Sequence, residues 1–258
     1  MTRPLSRREF LMLGGAMALS VAFPHAAAGS RPGIPVLLYH DISPDYRDDY
    51  TTPPALFSAH MEWLHGNGYR SVSMKDLPSL SGSARTFALT FDDGYASFLD
   101  YAFPLLEEYG FRATINVVGR YAGDVFEFRG KRPMLSWDEY RHLLRSGIVD
   151  IGCHTFDLHG HADRGAAGVT PGTLAEDLRR FQEAAAAETG AAVEILSWPY
   201  GFYSGEGIRV ARRAGFRYLL TSEEGKFAPG GDVLRIPRLN INGKLDPVSF
   251  RQYIEEPL

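Results

Sequence analysis

The chain has 258 residues, 45% of them hydrophobic and 22% charged, an ordinary balance for a globular protein that buries a sizeable core. Its net charge of −4 and pI near 6.1 provide no basic surface for nucleic acid. Cys153 is the single cysteine, which excludes an intramolecular disulfide and leaves packing or a metal to tie distant segments together.

The N-terminus reads as an export leader. A basic segment containing Ser6-Arg7-Arg8-Glu9-Phe10-Leu11 precedes an apolar run, Leu11 to Phe23, and then Ala26-Ala27-Ala28. Charged, apolar and small-residue segments in that order make a cleavable signal. The paired arginines resemble the twin-arginine export signature. The run is too short and too rich in Gly and Ala for a membrane span. These features predict a signal peptide over residues 1–28, one domain over 29–258, no integral membrane span after cleavage, and a periplasmic or extracellular location.

Strand and helix signals then alternate. Ile34 to Tyr39 is the first strand and stops at His40-Asp41. Pro53-Pro54 opens a helix, Ala55 to His65, followed by a short strand, Tyr69 to Val72. Thr86 to Phe91 reads as a buried strand, because its apolar and β-branched residues leave no solvated face. It ends in Asp92-Asp93-Gly94. A turn accounts for one Asp and the Gly, but two neighbouring carboxylates repel unless a cation or a shared proton relieves them.

Helix Ala96 to Tyr109, strand Arg112 to Val118 and a capped helix from Ser136 to Arg145 come next. Ser136 and Glu139 have the spacing of a capping box. Strand Val149 to Cys153 ends at His154, and a long helix runs from Pro171 to Thr189. Strand Val193 to Ser197 leads into Trp198-Pro199-Tyr200-Gly201. Helix Gly205 to Ala214, strands Phe216 to Thr221 and Leu234 to Leu239, and helix Pro247 to Glu255 complete the chain. The alternation predicts an α/β fold, a distorted (β/α) barrel of about seven or eight mostly parallel strands.

Four strand ends carry polar residues: His40, Asp92-Asp93, His154 and Trp198 to Gly201. A parallel barrel gathers its strand C-termini at one rim, so these can converge. Two imidazoles and one carboxylate make a site for a catalytic divalent metal with positions left open. Zinc suits such a set, as do cobalt, nickel and iron. His159 and His161 are both available as the second imidazole, and either requires a loop that curls back after His154. Cys153 alternates away from His154 and belongs to the core. Tyr46, Tyr50 and Tyr95 are further candidates for lining a groove, and the acids between Pro44 and Tyr50 read as a solvated loop.

These residues resemble the polysaccharide deacetylases of carbohydrate esterase family 4, the NodB homology domain. Thr90-Phe91-Asp92-Asp93-Gly94 matches the first motif of that family. His154-Thr155 through His159 resembles the second, with the longer histidine spacing of the poly-β-1,6-N-acetylglucosamine deacetylases. Ser197-Trp198-Pro199-Tyr200-Gly201 resembles the third, with Ser197 in place of the usual arginine. Val36 to Asp41 resembles the opening strand of that branch, whose motif order is circularly permuted. The resemblance spans roughly residues 34 to 255. It implies metal ligation by Asp93, His154 and His159, a general base at Asp92 and a general acid at His40. It also implies an oxyanion contact from the Tyr200 backbone amide. Trp198 and Tyr200 are candidates for lining a sugar site, since aromatic faces suit sugar rings, and equally for the core, which large aromatics dominate. The implied activity is metal-dependent N-deacetylation of a polysaccharide that contains N-acetylglucosamine. An O-acetyl esterase, a peptidoglycan or chitin deacetylase, and a non-catalytic carbohydrate-binding protein are the alternatives. With Ser197 in place of the arginine, the sequence identifies no partner for Asp92.

Overall fold

The computed structural model describes residues 33–80, 85–127, 130–160 and 165–256. The leader expected over residues 1–28 lies outside them, as does His161. Seven parallel strands close into a ring in chain order. They are β1 (Ile34–Tyr39), β2 (Thr86–Phe91), β3 (Ala113–Val117), β4 (Val149–Cys153), β5 (Ile195–Ser197), β6 (Tyr218–Glu224) and β7 (Ile236–Asn240). Closure comes from β1, which pairs Val36 with Ala88 of β2 on one side and Leu37 with Leu239 of β7 on the other. The expected barrel is therefore present. The eighth strand signal forms Arg70–Val72, which pairs outside the ring with the first half of β2.

Period-2 alternation sorts the strand residues into two environments. Tyr39, Phe87, Leu89, Phe91, Ile115 and Leu196 belong to the large core between barrel and helices. Ile34, Val36, Ala88, Ile195, Leu220 and Ile236 form a separate apolar cluster, which Met74 and Leu77 join. These are the inward positions of the lower strands, so the interior is a packed plug and not a channel. Continuing the same alternation toward the strand C-termini places His40, Asp92, Asn116, His154, Ser197 and Arg238 inside. On β1, β5 and β7 the inward side thus changes from apolar to polar toward the upper rim.

The helices are α1 (Pro54–Gly66), α2 (Phe103–Tyr109), α3 (Trp137–Arg145), α4 (Pro171–Thr189), α5 (Gly205–Arg213) and α6 (Pro247–Glu255). Ser136 caps α3 in the expected box, taking the Glu139 amide while Glu139 accepts from the Ser136 amide. The helix expected over residues 96–109 is divided. Phe98–Ala102 forms a π-helical turn, and α2 starts only at Phe103. Pro104 has no amide to donate, which breaks the α-helical ladder at this junction.

His60 fastens α1 and α6 to the barrel. Its ring is fully buried and stacks on Phe250 at 4.0 Å. Nε2 lies 2.8 Å from the Leu245 carbonyl, so it carries the proton, and Nδ1 accepts from the Tyr39 hydroxyl at 3.0 Å. Burial pushes the imidazole down from 6.5 to about 4. Because the folded value is depressed, the unfolded chain takes up the proton first. The stabilising contribution is complete above pH 6.5 and is lost as pH falls toward 4. The expected loss across that window is at most about 3 kcal/mol. Urea unfolding of wild type and His60→Phe at several pH values measures it: the wild type should lose more stability on acidification. Parallel pH dependence in the two proteins would remove this role from His60.

Candidate active site

The upper rim gathers His40, Asp92, Asp93, His154, His159 and Tyr200 around a cavity of about 340 Å³. His40 follows β1, the two aspartates follow β2, and His154 follows β4. His159 returns to the rim through a loop after Thr155. Among the described residues, four non-glycine positions have positive φ, and three of them are at this rim: Asp93 (74°), Thr155 (68°) and Tyr200 (58°). Left-handed backbone at such residues costs energy and tends to cluster where geometry serves a site. Gly94 must be glycine, because a Cβ there would lie 2.2 Å from the Tyr140 hydroxyl.

Asp92 is buried and held on both oxygens. Arg238 of β7 donates Nη1 to Oδ1 at 2.9 Å and Nη2 to Oδ2 at 2.8 Å. Asn116 Nδ2 donates to Oδ1 at 2.7 Å, and the Ser197 hydroxyl donates to Oδ2 at 3.0 Å. Gly152 makes room for Asn116, since a Cβ there would fall 2.0 Å from the Asn116 Oδ1. Burial alone would raise the Asp92 carboxyl. The Arg238 guanidinium, aided by the imidazoles of His154 and His40, holds it well below the usual carboxylate range. Arg238 is the partner that sequence reasoning missed, and its only early signal is its spacing of two from the inward Ile236.

Asp93, His154 and His159 each offer one ligand atom within 4.8 Å of the others, and all three are buried. His154 Nδ1 lies 2.9 Å from the Ser197 carbonyl, and burial pushes the ring down to about 4. The ring is therefore neutral near pH 7, with its proton on Nδ1 and a lone pair on Nε2. That Nε2 lies 3.5 Å from Asp93 Oδ1, and His159 Nε2 lies 3.1 Å from the same oxygen. Asp93 Oδ1 is buried and accepts no well-aligned hydrogen bond. A lone pair facing a carboxylate oxygen is unfavourable without a cation between them. Two nitrogens and one hard oxygen are the donor set of a divalent transition metal, so the residues fit one.

The loop that brings His159 back is fastened from α4. Asp177 is buried and accepts the Phe156 amide at 2.7 Å on one oxygen and the Asp157 amide at 2.8 Å on the other. The Tyr200 hydroxyl donates to the His159 carbonyl at 2.8 Å and lies 3.4 Å from its Nδ1. Phe126, from a short hairpin of Val125–Phe126 with Arg132–Pro133, meets the His159 ring edge-on at 5.2 Å.

The aromatic candidates separate. Tyr50, Tyr95 and Tyr200 line the cavity, joined by Phe202, which the sequence did not single out. Tyr50 also packs edge-on against His40 at 5.0 Å. Trp198 does not line the cavity and takes the core alternative of the two. It is 1% exposed in the outer core, because alternation turns it away from the inward Ser197. The loop between Pro44 and Tyr50 is likewise not merely solvated. Asp48 pairs with the buried Arg132, over which the Tyr46 ring lies at 4.2 Å. Cys153 is buried core, as expected, and burial raises its thiol.

The family profile for polysaccharide deacetylases matches residues 80–219 of this chain. The Bacillus subtilis protein YxkH is 28% identical over 231 residues, covering 86% of this chain and 76% of its own. A poly-β-1,6-N-acetyl-D-glucosamine N-deacetylase from Staphylococcus aureus is 21% identical over 201 residues, covering 75% and 69%. Among solved structures, IcaB from Ammonifex degensii superposes with a TM-score of 0.77 at 24% identity, over 87% of this chain and 98% of that one, which establishes a shared fold.

Replacing Arg238 with Met should leave Asp92 buried without its cation, to be held charged or protonated at a cost either way. Loss of one partner from a buried pair costs about 3–5 kcal/mol. Denaturant unfolding of Arg238→Met should show a loss of that size at neutral pH. A loss below about 1 kcal/mol would mean that the pair contributes no more than an exposed one.

Proposed function

The chain belongs to the polysaccharide deacetylase family, and we propose that it removes N-acetyl groups from a poly-β-1,6-N-acetylglucosamine-like polysaccharide, using a divalent metal held by Asp93, His154 and His159. The observation that carries this reading is the presence, in one cavity, of that donor set beside the Asp92 carboxylate and the His40 imidazole. The Staphylococcus aureus relative, named for this substrate, supports the choice of polymer. A binding protein would need neither a proton acceptor nor a donor.

Zinc, or cobalt, nickel or iron in the same donor set, would polarise the amide carbonyl and make nearby water more acidic. Asp92 accepts the proton of the attacking water. Arg238 stabilises the carboxylate, so Asp92 is a weak base whose advantage is its fixed orientation. His40, in its imidazolium form, gives a proton to the departing glucosamine nitrogen and is left neutral. Burial opposes the charged form of His40, while the Asp93 and Asp92 carboxylates favour it. The Tyr200 backbone amide is assigned to the oxyanion that develops on the acetyl oxygen. Water oxygen bonds to the acetyl carbon, the carbon–nitrogen bond breaks, and acetate leaves a polymer that has gained an amine.

Acetate release from poly-β-1,6-N-acetylglucosamine oligomers should stop with a chelator and return with zinc or cobalt. Persistence in a metal-free protein would refute the metal. His40→Asn should lower kcat by roughly 10²- to 10⁴-fold with little change in unfolding, and Asp92→Asn should abolish turnover while metal stays bound. Full activity in either variant would overturn its assignment.

Residues 1–28 are assigned to a twin-arginine export leader that delivers the domain of residues 29–258 to the periplasm or cell exterior. Among the described residues, no helix is long and apolar enough to cross a membrane. Arg7→Lys with Arg8→Lys should retain the uncleaved protein inside the cell, and undiminished export would count against this route.

A further inference from the structure

The order of strands around the barrel divides the lining of the catalytic cavity into two arcs. Asp92 and Asp93 follow β2, His154 follows β4, and His159 joins them through its loop. The other arc crosses β5, β6, β7 and β1, and presents Phe202, Ser222, Asn240 and His40 in that order. The Tyr200 amide bounds this arc at one end and His40 at the other. The chemistry assigned above leaves the residues between them unused.

Two of those residues have the form of recognition groups. Asn240 continues the inward column of β7, two residues beyond Arg238 and four beyond Ile236, and is exposed at the cavity. Arg238 beneath it is occupied by Asp92, Ser197, Thr90 and Thr221. The Asn240 side-chain amide has no partner among the described residues. It can donate and accept at once, as sugar hydroxyls do. Leu38 pairs with Asn240 across the seam between β1 and β7, which sets the amide one inward position below His40. Phe202 is 49% exposed where it borders the same cavity, and an aromatic face of this kind suits the apolar side of a sugar ring.

The reaction itself selects this arc. In hydrolysis of an N-acetyl group the nitrogen leaves still bonded to the sugar. His40 must reach that nitrogen, so the ring that carries it lies on the His40 side of the breaking bond. The opposite side is filled by Asp93, His154 and His159.

We infer that the arc from Phe202 to Asn240 is the specificity surface for the sugar unit being deacetylated, with Phe202 stacked on the ring and Asn240 hydrogen-bonded to its hydroxyls. The inference rests on the proposed deacetylase reading. It makes the enzyme a reader of the sugar as well as of the acetyl group.

Steady-state kinetics of the metal-loaded mature protein on two substrates test it. One is a β-1,6-linked N-acetylglucosamine pentamer; the other is an aryl acetate, which carries an acetyl group and no sugar. The readout is the ratio of kcat/KM for the pentamer to that for the aryl acetate. Asn240→Ala should lower the ratio by roughly 2- to 10-fold, the range of one neutral hydrogen bond. Phe202→Ala should lower it by about as much, and Phe202→Tyr, which keeps the ring face, should restore it. The loss should appear in KM for the pentamer, since these contacts form before the chemical step. Both positions are exposed, so the variants should fold. An unchanged ratio in either alanine variant would overturn the inference. Absence of acetate release from the pentamer by the wild-type protein, with the aryl acetate still hydrolysed, would instead overturn the deacetylase reading.

Discussion

An ionised carboxylate inside a barrel is stable only if the barrel brings it a cation, and the Asp92–Arg238 pair meets that condition at the point where all seven strands converge. The guanidinium does more than neutralise Asp92. Its Nε donates to the Thr221 carbonyl of β6 at 2.7 Å, and its Nη2 to the Ser197 hydroxyl of β5 at 2.9 Å. Its Nη1 also reaches the Thr90 hydroxyl of β2 at 3.2 Å. One side chain therefore ties together β2, β5, β6 and β7 above the apolar plug. Burial that would neutralise an unpaired acid instead fixes a charged one, and the neighbouring imidazoles are shielded from water by the same packing.

The loops above this network need support of their own. Asp177 holds the turn that returns His159. Arg132 is sandwiched by Tyr46 at 4.2 Å and Tyr95 at 5.3 Å, while pairing with Asp41 and Asp48. Its partners flank the two rim segments that carry His40 and Asp93. The rim thus rests on buried polar contacts between loops and on left-handed turns, whereas the strands below rest on apolar packing. That division explains why polar substitutions at Asp177 or Arg132 should be felt at the site although neither is one of its candidate chemical groups.

Much of this was legible because strand alternation is a local rule. An apolar strand ending in a polar residue predicts a rim position, and His40, Asp92, Asp93 and His154 were all found that way. The same rule, carried one residue past Ser197, would have sent Trp198 into the outer core. Helix ends with caps or flanking Pro and Gly were read closely, as for α4 and α6. The partner of Asp92 was not, for a physical reason. Arg238 is 146 residues away, and Arg235-Ile236-Pro237-Arg238 looks locally like a partly exposed strand with two similar arginines. Arg235 pairs with Asp232 at the surface, while Arg238 turns inward. Only closure of the ring distinguishes them. The role of Asp48 is hidden on the same grounds, since its partner Arg132 lies on a hairpin with no strand signal.

Ring closure also bears on the serine that stands where the resembling family carries an arginine. Every strand of a small barrel points its inward side chains at the same axis, so a cation needed near Asp92 can come from more than one strand. Here it comes from β7, and β5 must then present something short. Ser197 meets both requirements: its hydroxyl donates to Asp92 while accepting from Arg238. A second guanidinium at Ser197 would meet the first across the same carboxylate, with like charges and overlapping volume. Short at one strand and long at another is thus a single solution, and the departure at Ser197 preserves the electrostatic demand of Asp92.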